Sequence, residues 1–384
     1  MNKNEQPTDL KLLDKFLVTL SNIFKVIRPS LIAIGVGLTF GFIIMLIFNA
    51  SGAFQGLITL LSGGLGSGIK VLGDILLHAS PIILTGVALV VAFKTGLFNI
   101  GASGQMIVAG YVAVHVGVLW NLPAPLHWIV ALLFGTLAGA IWGAIPGILK
   151  AFTNTNEVVS SIMLNYIGTF LAVFLVKANV YNGATAKSLN IQSSAELPGF
   201  GQLFGNSKVN IGILIAIGVA VLVYYLFKKT TFGYELKASG FNRDASRYAG
   251  MNAKRNIVLS MLISGAIVGL GGAIQFLVIG TNIGTTYDLL PQGFDGISVA
   301  LLGLTDPIGS IFAGTFLSYI RQGGFYMQVN GFPQQIIDII IAVIVYTTSI
   351  SVAIQLFFKH LKNKKLTKLV ESPDIEGGSE KWHW

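Results

Sequence analysis

Few side chains in this 384-residue sequence have the types and spacing that catalysis requires. There is no phosphate-binding GxxxxGK[ST] loop, no HExxH zinc motif, no GxSxG nucleophile elbow and no carboxylate pair at helical spacing. Cysteine is also absent, which excludes thiolate metal sites and iron–sulfur clusters. We therefore predict no catalytic residue, no metal site and no cofactor bound by this chain, and we do not expect an enzyme.

The acidic residues of the apolar C-terminal half are few. Asp295, Asp306 and Asp338 each lie near a predicted helix end, where we expect water to reach them. A secondary carrier usually couples transport to an ion through buried, partnered charges. Because we expect little of that here, the energy for any transport should come from a partner protein.

Uncharged polar side chains are the better candidates for contact with a solute. The segment 96–104, GLFNIGASG, places Asn99 and three glycines between two apolar stretches, with Gln105 directly after it. Asn165 lies inside a later apolar helix. Irregular backbone and polar groups at membrane depth are tolerated where they are buried in protein or line a cavity. Asn99, Gln105 and Asn165 are thus candidates for a solute path, and a plain glycine turn is the alternative for 96–104.

The elements that must position these residues are membrane helices. The chain is 53% hydrophobic and only 11% charged, with 46 glycines and a mean hydropathy of +0.73. A soluble domain has about 25% charged residues, so the composition predicts an all-α polytopic membrane protein. The net charge of +9 comes from the tails and one central loop, which is the usual cytoplasmic excess and does not indicate nucleic-acid binding.

Hydropathy predicts about ten transmembrane helices within residues 31–358, between cytoplasmic tails at 1–30 and 359–384. The first six spans are 31–48, 81–93, 105–119, 128–150, 158–177 and 210–227. Four more follow the basic loop 228–256, namely 256–279, 336–358 and two short helices broken at Asp306-Pro307. Even counts put that loop and both termini in the cytoplasm and leave 178–208 outside. They favour an external re-entrant or interfacial helix for 52–77, with a full span as the alternative.

Glycines at positions 135, 139, 143 and 147 leave one face of the 128–150 helix bare. This spacing predicts the close approach of another helix backbone.

Five motifs resemble those of a bacterial ATP-binding cassette importer permease. They are GLFNIGASGQMIVAGY (96–111), TNEVVSSIMLNYIG (155–168), GYELKASGFNRDASRYAGM (233–251), SGAIVGLGGAIQ (264–275) and GFDGISVALLGLTDPIG (293–309). The resemblance is to the family of branched-chain amino acid, ribose and nucleoside permeases, and is closest to the nucleoside branch. It covers residues 80–320 and implies the type II architecture, as in the vitamin B12 importer.

The resemblance also implies a coupling site in the basic loop. Asp244, Ala245 and Ser246, followed by Gly250, are similar to the family's Glu-Ala-Ala, three residues, Gly motif, with Asp and Ser as departures and without the downstream Ile-x-Leu-Pro. A short helix here would enter a groove on the ATPase, with Arg243 and Arg247 making ionic contacts. A merely solvated loop is the alternative.

The function implied is the translocation subunit of an ATP-driven nucleoside importer in the bacterial cytoplasmic membrane. Its implied partners are an ATPase subunit that uses ATP and Mg, a second permease of related sequence, and an extracytoplasmic substrate-binding lipoprotein. The alternatives are import of a sugar or a branched-chain amino acid by the same architecture, and a stand-alone ion-coupled carrier.

Overall fold

The structure is a computed structural model that describes residues 8–63, 65, 68–348 and 350. The predicted C-terminal tail and the end of the last predicted span lie outside these residues. The described helices are α1 Thr8–Phe48, α2 Ala53–Ser62, α3 Lys70–Lys94, α4 Ala102–Leu119, α5 Leu126–Thr153, α6 Glu157–Asn179, α7 Gly212–Lys229, α8 Thr231–Phe241, α9 Arg243–Tyr248, α10 Ala253–Phe276, α11 Pro291–Leu302, α12 Pro307–Met327 and α13 Gln335–Thr348.

Within the described residues, seven helices are long and apolar enough to cross a membrane. These are the Arg28–Phe48 part of α1, and α3, α4, α5, α6, α7 and α10. The strands are limited there to one hairpin of two residues a side, Tyr181–Asn182 and Lys187–Ser188. The prediction of an all-α polytopic membrane protein is confirmed.

The chain forms two compact units. Among the residues that the structure describes, one unit combines residues 8–38 with residues 343–348 and 350, and in it Gly37 lies against Ile344. The other is Thr39–Ala342, and it contains every candidate site residue. Its core surrounds α3, which packs against α7, α10, α11 and α12.

The prediction of a re-entrant helix over 52–77 is wrong in extent. That stretch divides into α2 and the start of α3, and α3 begins at Lys70 and contains Pro81 in its interior. A proline inside a helix costs about 3 kcal/mol because it removes one hydrogen bond and crowds the preceding turn. The residues on both sides of Pro81 are buried, so packing around the central helix outweighs this local penalty.

Helices α5 and α10 meet backbone to backbone, as the glycine spacing predicts. A Cβ added at Gly139 would lie 2.5 Å from the Cα of Gly269, and one at Gly143 would lie 2.7 Å from the Cα of Gly265. No side chain fits between the helices at these points, so glycine is required on both.

The break at Asp306-Pro307 is also confirmed. The Asp306 carboxylate accepts hydrogen bonds from the backbone N–H groups of Ile308 (2.9 Å) and Gly309 (3.2 Å), so it caps α12. Helix α12 continues to Met327, beyond the predicted end at 319.

The predicted external segment 178–208 is folded onto the chain that follows α10. Besides the hairpin it contains two 3₁₀ turns, Ser193–Ala195 and Gly201–Phe204. The backbone N–H of Leu197 donates to the carbonyl of Leu277, and that of Ser188 donates to the carbonyl of Ile283. The segment therefore covers the C-terminal end of α10.

Candidate functional site

The three predicted path residues meet in one buried hydrogen-bond network on the 96–104 turn. The Asn99 side-chain amide donates to Gln105 Oε1 (3.0 Å) and to Ser264 Oγ (2.9 Å), and the Gln105 amide donates back to Asn99 Oδ1 (3.0 Å). Asn165 accepts from the Gly104 N–H (2.8 Å) and donates to the Ile100 carbonyl (2.9 Å).

This network holds the turn between α3 and α4 against α6 and α10. Asn99, Gln105 and Asn165 are at most 1% exposed, and their polar groups are satisfied by protein. Solute contact with these side chains stays a prediction, and it requires the turn to move.

The predicted coupling helix is present as α9. The Asn242 side chain accepts hydrogen bonds from the N–H groups of Asp244 and Ala245, each at 3.0 Å, and so begins the helix. Gly250 ends it with a φ of +83°, a left-handed conformation that favours glycine. A Cβ added at Gly250 would meet no atom within 4 Å. Glycine is therefore favoured here by the backbone conformation and not by a steric clash.

The outer surface of α9 is open to solvent. Asp244, Ala245 and Arg247 are exposed, and Arg243 is half-buried. Ser246 faces the other way: it is 4% exposed and its hydroxyl donates to the Arg243 carbonyl. Ser246 therefore cannot contribute to a docking surface in this conformation.

Two aromatic side chains beside α9 were not among the sequence candidates. Phe241 is 90% exposed and Tyr248 is 94% exposed, immediately before and at the end of this short helix. Their signal in the sequence was one aromatic residue just before the coupling motif and one within it, in a strongly charged loop. Two highly exposed aromatic side chains beside one short helix make this surface a candidate for a protein contact.

The end of the helix bundle that carries α8 and α9 is rich in cations, and we call it the basic end. A cleft of about 700 Å³ there is lined by residues of α5, α9 and α10, including Lys150, Arg243, Arg247 and Lys254. Lys150 also pairs with Glu157 at 2.8 Å, next to the Asn156 cap that begins α6. Glu157 therefore has a structural partner.

A polar cavity of about 310 Å³ lies away from the basic end, beside the C-terminal end of α10. Its walls come from α3, α10, α11 and α12. The polar lining consists of His78, Gln275, Thr281, Gln292, Asp295, Ser318, Arg321, Gln322 and Gln334, and the apolar lining includes Pro81, Ile82, Ile274 and Phe325.

The expectation that water reaches Asp295, the acidic residue of this cavity, is wrong. Asp295 is 5% exposed, and its Oδ1 lies 2.6 Å from Nη2 of Arg321. Arg321 also contacts Asp338 at 3.1 Å, but the Asp338 side chain is 56% exposed. The chain therefore does contain a buried ion pair, which sequence spacing could not show because its members are on different helices.

The described residues contain no group of three or more His, Cys, Asp or Glu side chains that could hold a metal ion. A bundle of membrane helices with an interior polar cavity and an exposed short helix at one end suits a transport protein of the permease class, and the family match decides the class. The chain belongs to the family described as branched-chain amino acid transport system / permease component, whose model matches residues 71–349.

Several relatives are similar over most of their length. The guanosine ABC transporter permease protein NupP of Bacillus subtilis is 40% identical over 337 residues, which are 87% of this chain and 96% of the relative. The nucleoside ABC transporter permease protein NupB of Lactococcus lactis is 37% identical over 90% of this chain and 97% of the relative. The glucose ABC transporter permease protein TsgB13 of Haloferax volcanii is 30% identical over 71% and 74%. No solved structure matches the chain.

Proposed function

We propose that this chain is the translocation subunit of an ATP-driven nucleoside importer. Two relatives with nucleoside or guanosine in their names match over at least 96% of their own length, whereas the glucose permease matches over 74% of its length. Import of a sugar or a branched-chain amino acid by the same architecture is the second candidate, and the glucose permease favours the sugar.

The observation that carries the ATP-driven part of the proposal is the exposure of Phe241 and Tyr248 around α9. The sequence has no phosphate-binding loop of its own, so ATP and Mg are bound by a separate ATPase subunit. That subunit docks on α9, with the two aromatic side chains as anchors and Arg243, Asp244 and Arg247 as polar contacts.

The further partners follow from the same proposal. A second, related permease chain completes the translocation path. An extracytoplasmic lipoprotein delivers the nucleoside to the segment 178–208, which covers the end of α10 opposite α9.

The proposed orientation places the basic end in the cytoplasm. Positively charged residues are retained on the cytoplasmic side of membrane proteins. The basic end contains Lys150, Arg243, Arg247 and Lys254 in one cleft, so α9 lies where an ATPase has access to it.

Cysteine labelling tests this orientation cleanly because the chain has no native cysteine. We expect a Lys229→Cys variant to react with a membrane-impermeant maleimide only after the cells are opened, because Lys229 is exposed at the end of α7 on the basic end and is not one of the proposed docking contacts. An Ala184→Cys variant in the exposed hairpin of 178–208 should react in intact cells and is the control. The reverse pattern would overturn the orientation.

Transport by the reconstituted system tests the function. Proteoliposomes containing this chain, the second permease, the ATPase and the binding protein should accumulate labelled guanosine or adenosine only with ATP. Unlabelled nucleosides should compete, and ribose, glucose and leucine should not. Competition by sugars alone would favour the second candidate, and uptake by this chain alone under an ion gradient would identify a secondary carrier.

A further inference from the structure

The polar cavity contains hydrogen-bonding atoms that the protein does not satisfy. Among the residues that the structure describes, Gln275 Oε1, Gln292 Oε1, Asp295 Oδ2 and Arg321 Nε are buried and have no hydrogen-bond partner. All four residues line this cavity. Leaving a buried polar atom unpaired costs about 1–3 kcal/mol, so such a cluster indicates a bound molecule that supplies the partners.

The charges of the cavity favour an uncharged ligand. Asp295 and Arg321 neutralise each other at 2.6 Å, and the Asp295 side chain is only 7% exposed. A metal cation would be repelled by the guanidinium, and an anion would be repelled by the carboxylate. A neutral molecule with several hydrogen-bonding groups avoids both penalties. The volume of about 310 Å³ suits a small molecule, and Phe325 and Pro81 provide flat apolar wall.

The four atoms without a hydrogen-bond partner further restrict the chemistry of the ligand. Three are acceptors, namely the two glutamine oxygens and Asp295 Oδ2, and one is a donor, the Arg321 Nε–H. A glutamine amide can rotate to present either its oxygen or its nitrogen. The ionised Asp295 carboxylate remains an acceptor and the Arg321 guanidinium remains a donor, whichever way the two glutamine amides are oriented.

We propose that this cavity recognises a guanine-type nucleobase, an inference that rests on the proposed nucleoside import. The pairing edge of guanine offers an N1–H, two 2-amino hydrogens and the O6 carbonyl, which are three donors and one acceptor. When both glutamines present their oxygens, this set matches the three unpaired acceptors and one unpaired donor. Adenine presents an unprotonated N1 instead of N1–H, which the Asp295 carboxylate would repel, and it lacks O6. Inosine keeps N1–H and O6 but lacks the 2-amino group.

Ligand-induced thermal stabilisation tests the proposal without the selectivity of the binding protein. The complex of both permeases and the ATPase is placed in lipid nanodiscs and mixed with guanosine, inosine, adenosine or ribose. We expect guanosine to stabilise it at the lowest concentration, because each lost hydrogen bond to the site weakens binding about tenfold. Inosine lacks both 2-amino hydrogens, so it should need about a hundredfold more. Adenosine also lacks N1–H and O6, so it should need at least about a thousandfold more.

Variants assign the effect to the cavity. Gln275→Leu and Gln292→Leu should each raise the guanosine requirement about tenfold without disturbing the ion pair, and Asp295→Asn should reduce the guanosine preference over adenosine. Gln328→Leu, at an exposed position outside the cavity, and Asp338→Asn, which contacts Arg321 from outside it, are matched controls that should leave the preference unchanged.

The outcomes separate this inference from the proposed function. If the complete system transports nucleosides but guanosine and adenosine stabilise the complex equally, the cavity does not distinguish guanine from adenine and the inference is wrong. The same conclusion follows if the glutamine variants behave like Gln328→Leu. If no nucleoside is transported at all, the proposed function itself fails.

Discussion

A variant carrying both Phe241→Ser and Tyr248→Ser is expected to insert normally but to lose nearly all nucleoside-stimulated ATP hydrolysis. Both side chains are at least 90% exposed beside α9, so their removal leaves no cavity in the permease. Aromatic anchors at the centre of an interface each contribute about 2 kcal/mol or more. Losing both should therefore weaken association with the ATPase about a thousandfold.

Co-purification of the ATPase with the permease, and the ATPase rate in proteoliposomes, measure this effect. Tyr181→Ser is the control, because Tyr181 is an exposed aromatic residue in the hairpin of 178–208. An ATPase that stays bound and active at the normal rate in the double variant would contradict docking at α9. Substituting Gly250 is a poorer test, because any side chain at a φ of +83° strains the turn even where it touches nothing.

The second large effect is expected at the ion pair of the cavity. Arg321→Met removes the partner of Asp295 and leaves a carboxylate that is 7% exposed without a countercharge. Breaking a buried pair in this way costs about 3–5 kcal/mol, because the remaining charge is neither solvated nor compensated. We therefore expect the free energy of unfolding to fall by about that amount.

The double variant Asp295→Asn, Arg321→Met should recover most of the lost stability, since neither member is then charged. Asp338→Asn is the matched control: its carboxylate also contacts Arg321, but it is 56% exposed, so its loss should cost about 1 kcal/mol or less. Reversible unfolding in mixed micelles measures all three variants. Equal losses for Arg321→Met and Asp338→Asn would show that burial does not govern this pair.

The two proposed sites are connected by direct contacts through the 96–104 turn. A Cβ added at Gly96 would lie 2.9 Å from the carbonyl oxygen of Gly240 in α8, next to α9. At the other side of the turn, a Cβ at Gly293 would lie 2.4 Å from the backbone nitrogen of Ser103. Gly293 belongs to α11, the helix that carries Asp295. Close backbone contacts therefore link α8 to the turn, and the turn to the helix that carries Asp295.

The features that follow from local sequence were predictable. Hydropathy depends on composition within about 20 residues, so the membrane class and most helices were correct. Asp306-Pro307 and the glycine spacing of α5 are also local signals, since capping and close packing are encoded within a few residues. The short helix α9 was implied by the family resemblance. The family resemblance was carried by contiguous motifs for the same reason.

The cavity and the orientation of individual side chains were decided by tertiary structure. Asp295 and Arg321 are 26 residues apart, and no local pattern shows that α11 and α12 bring them within 2.6 Å. The predicted span began at Pro81, whereas α3 begins at Lys70, because the burial that compensates for an interior proline is a property of the whole bundle. Asn99, Gln105 and Asn165 were recognised as polar residues at depth, but only packing determined that Asn99 and Gln105 bind each other and that Asn165 binds the backbone of the 96–104 turn. Residue type shows that a polar group must find a partner, whereas the meeting of helix faces determines whether that partner is protein or ligand.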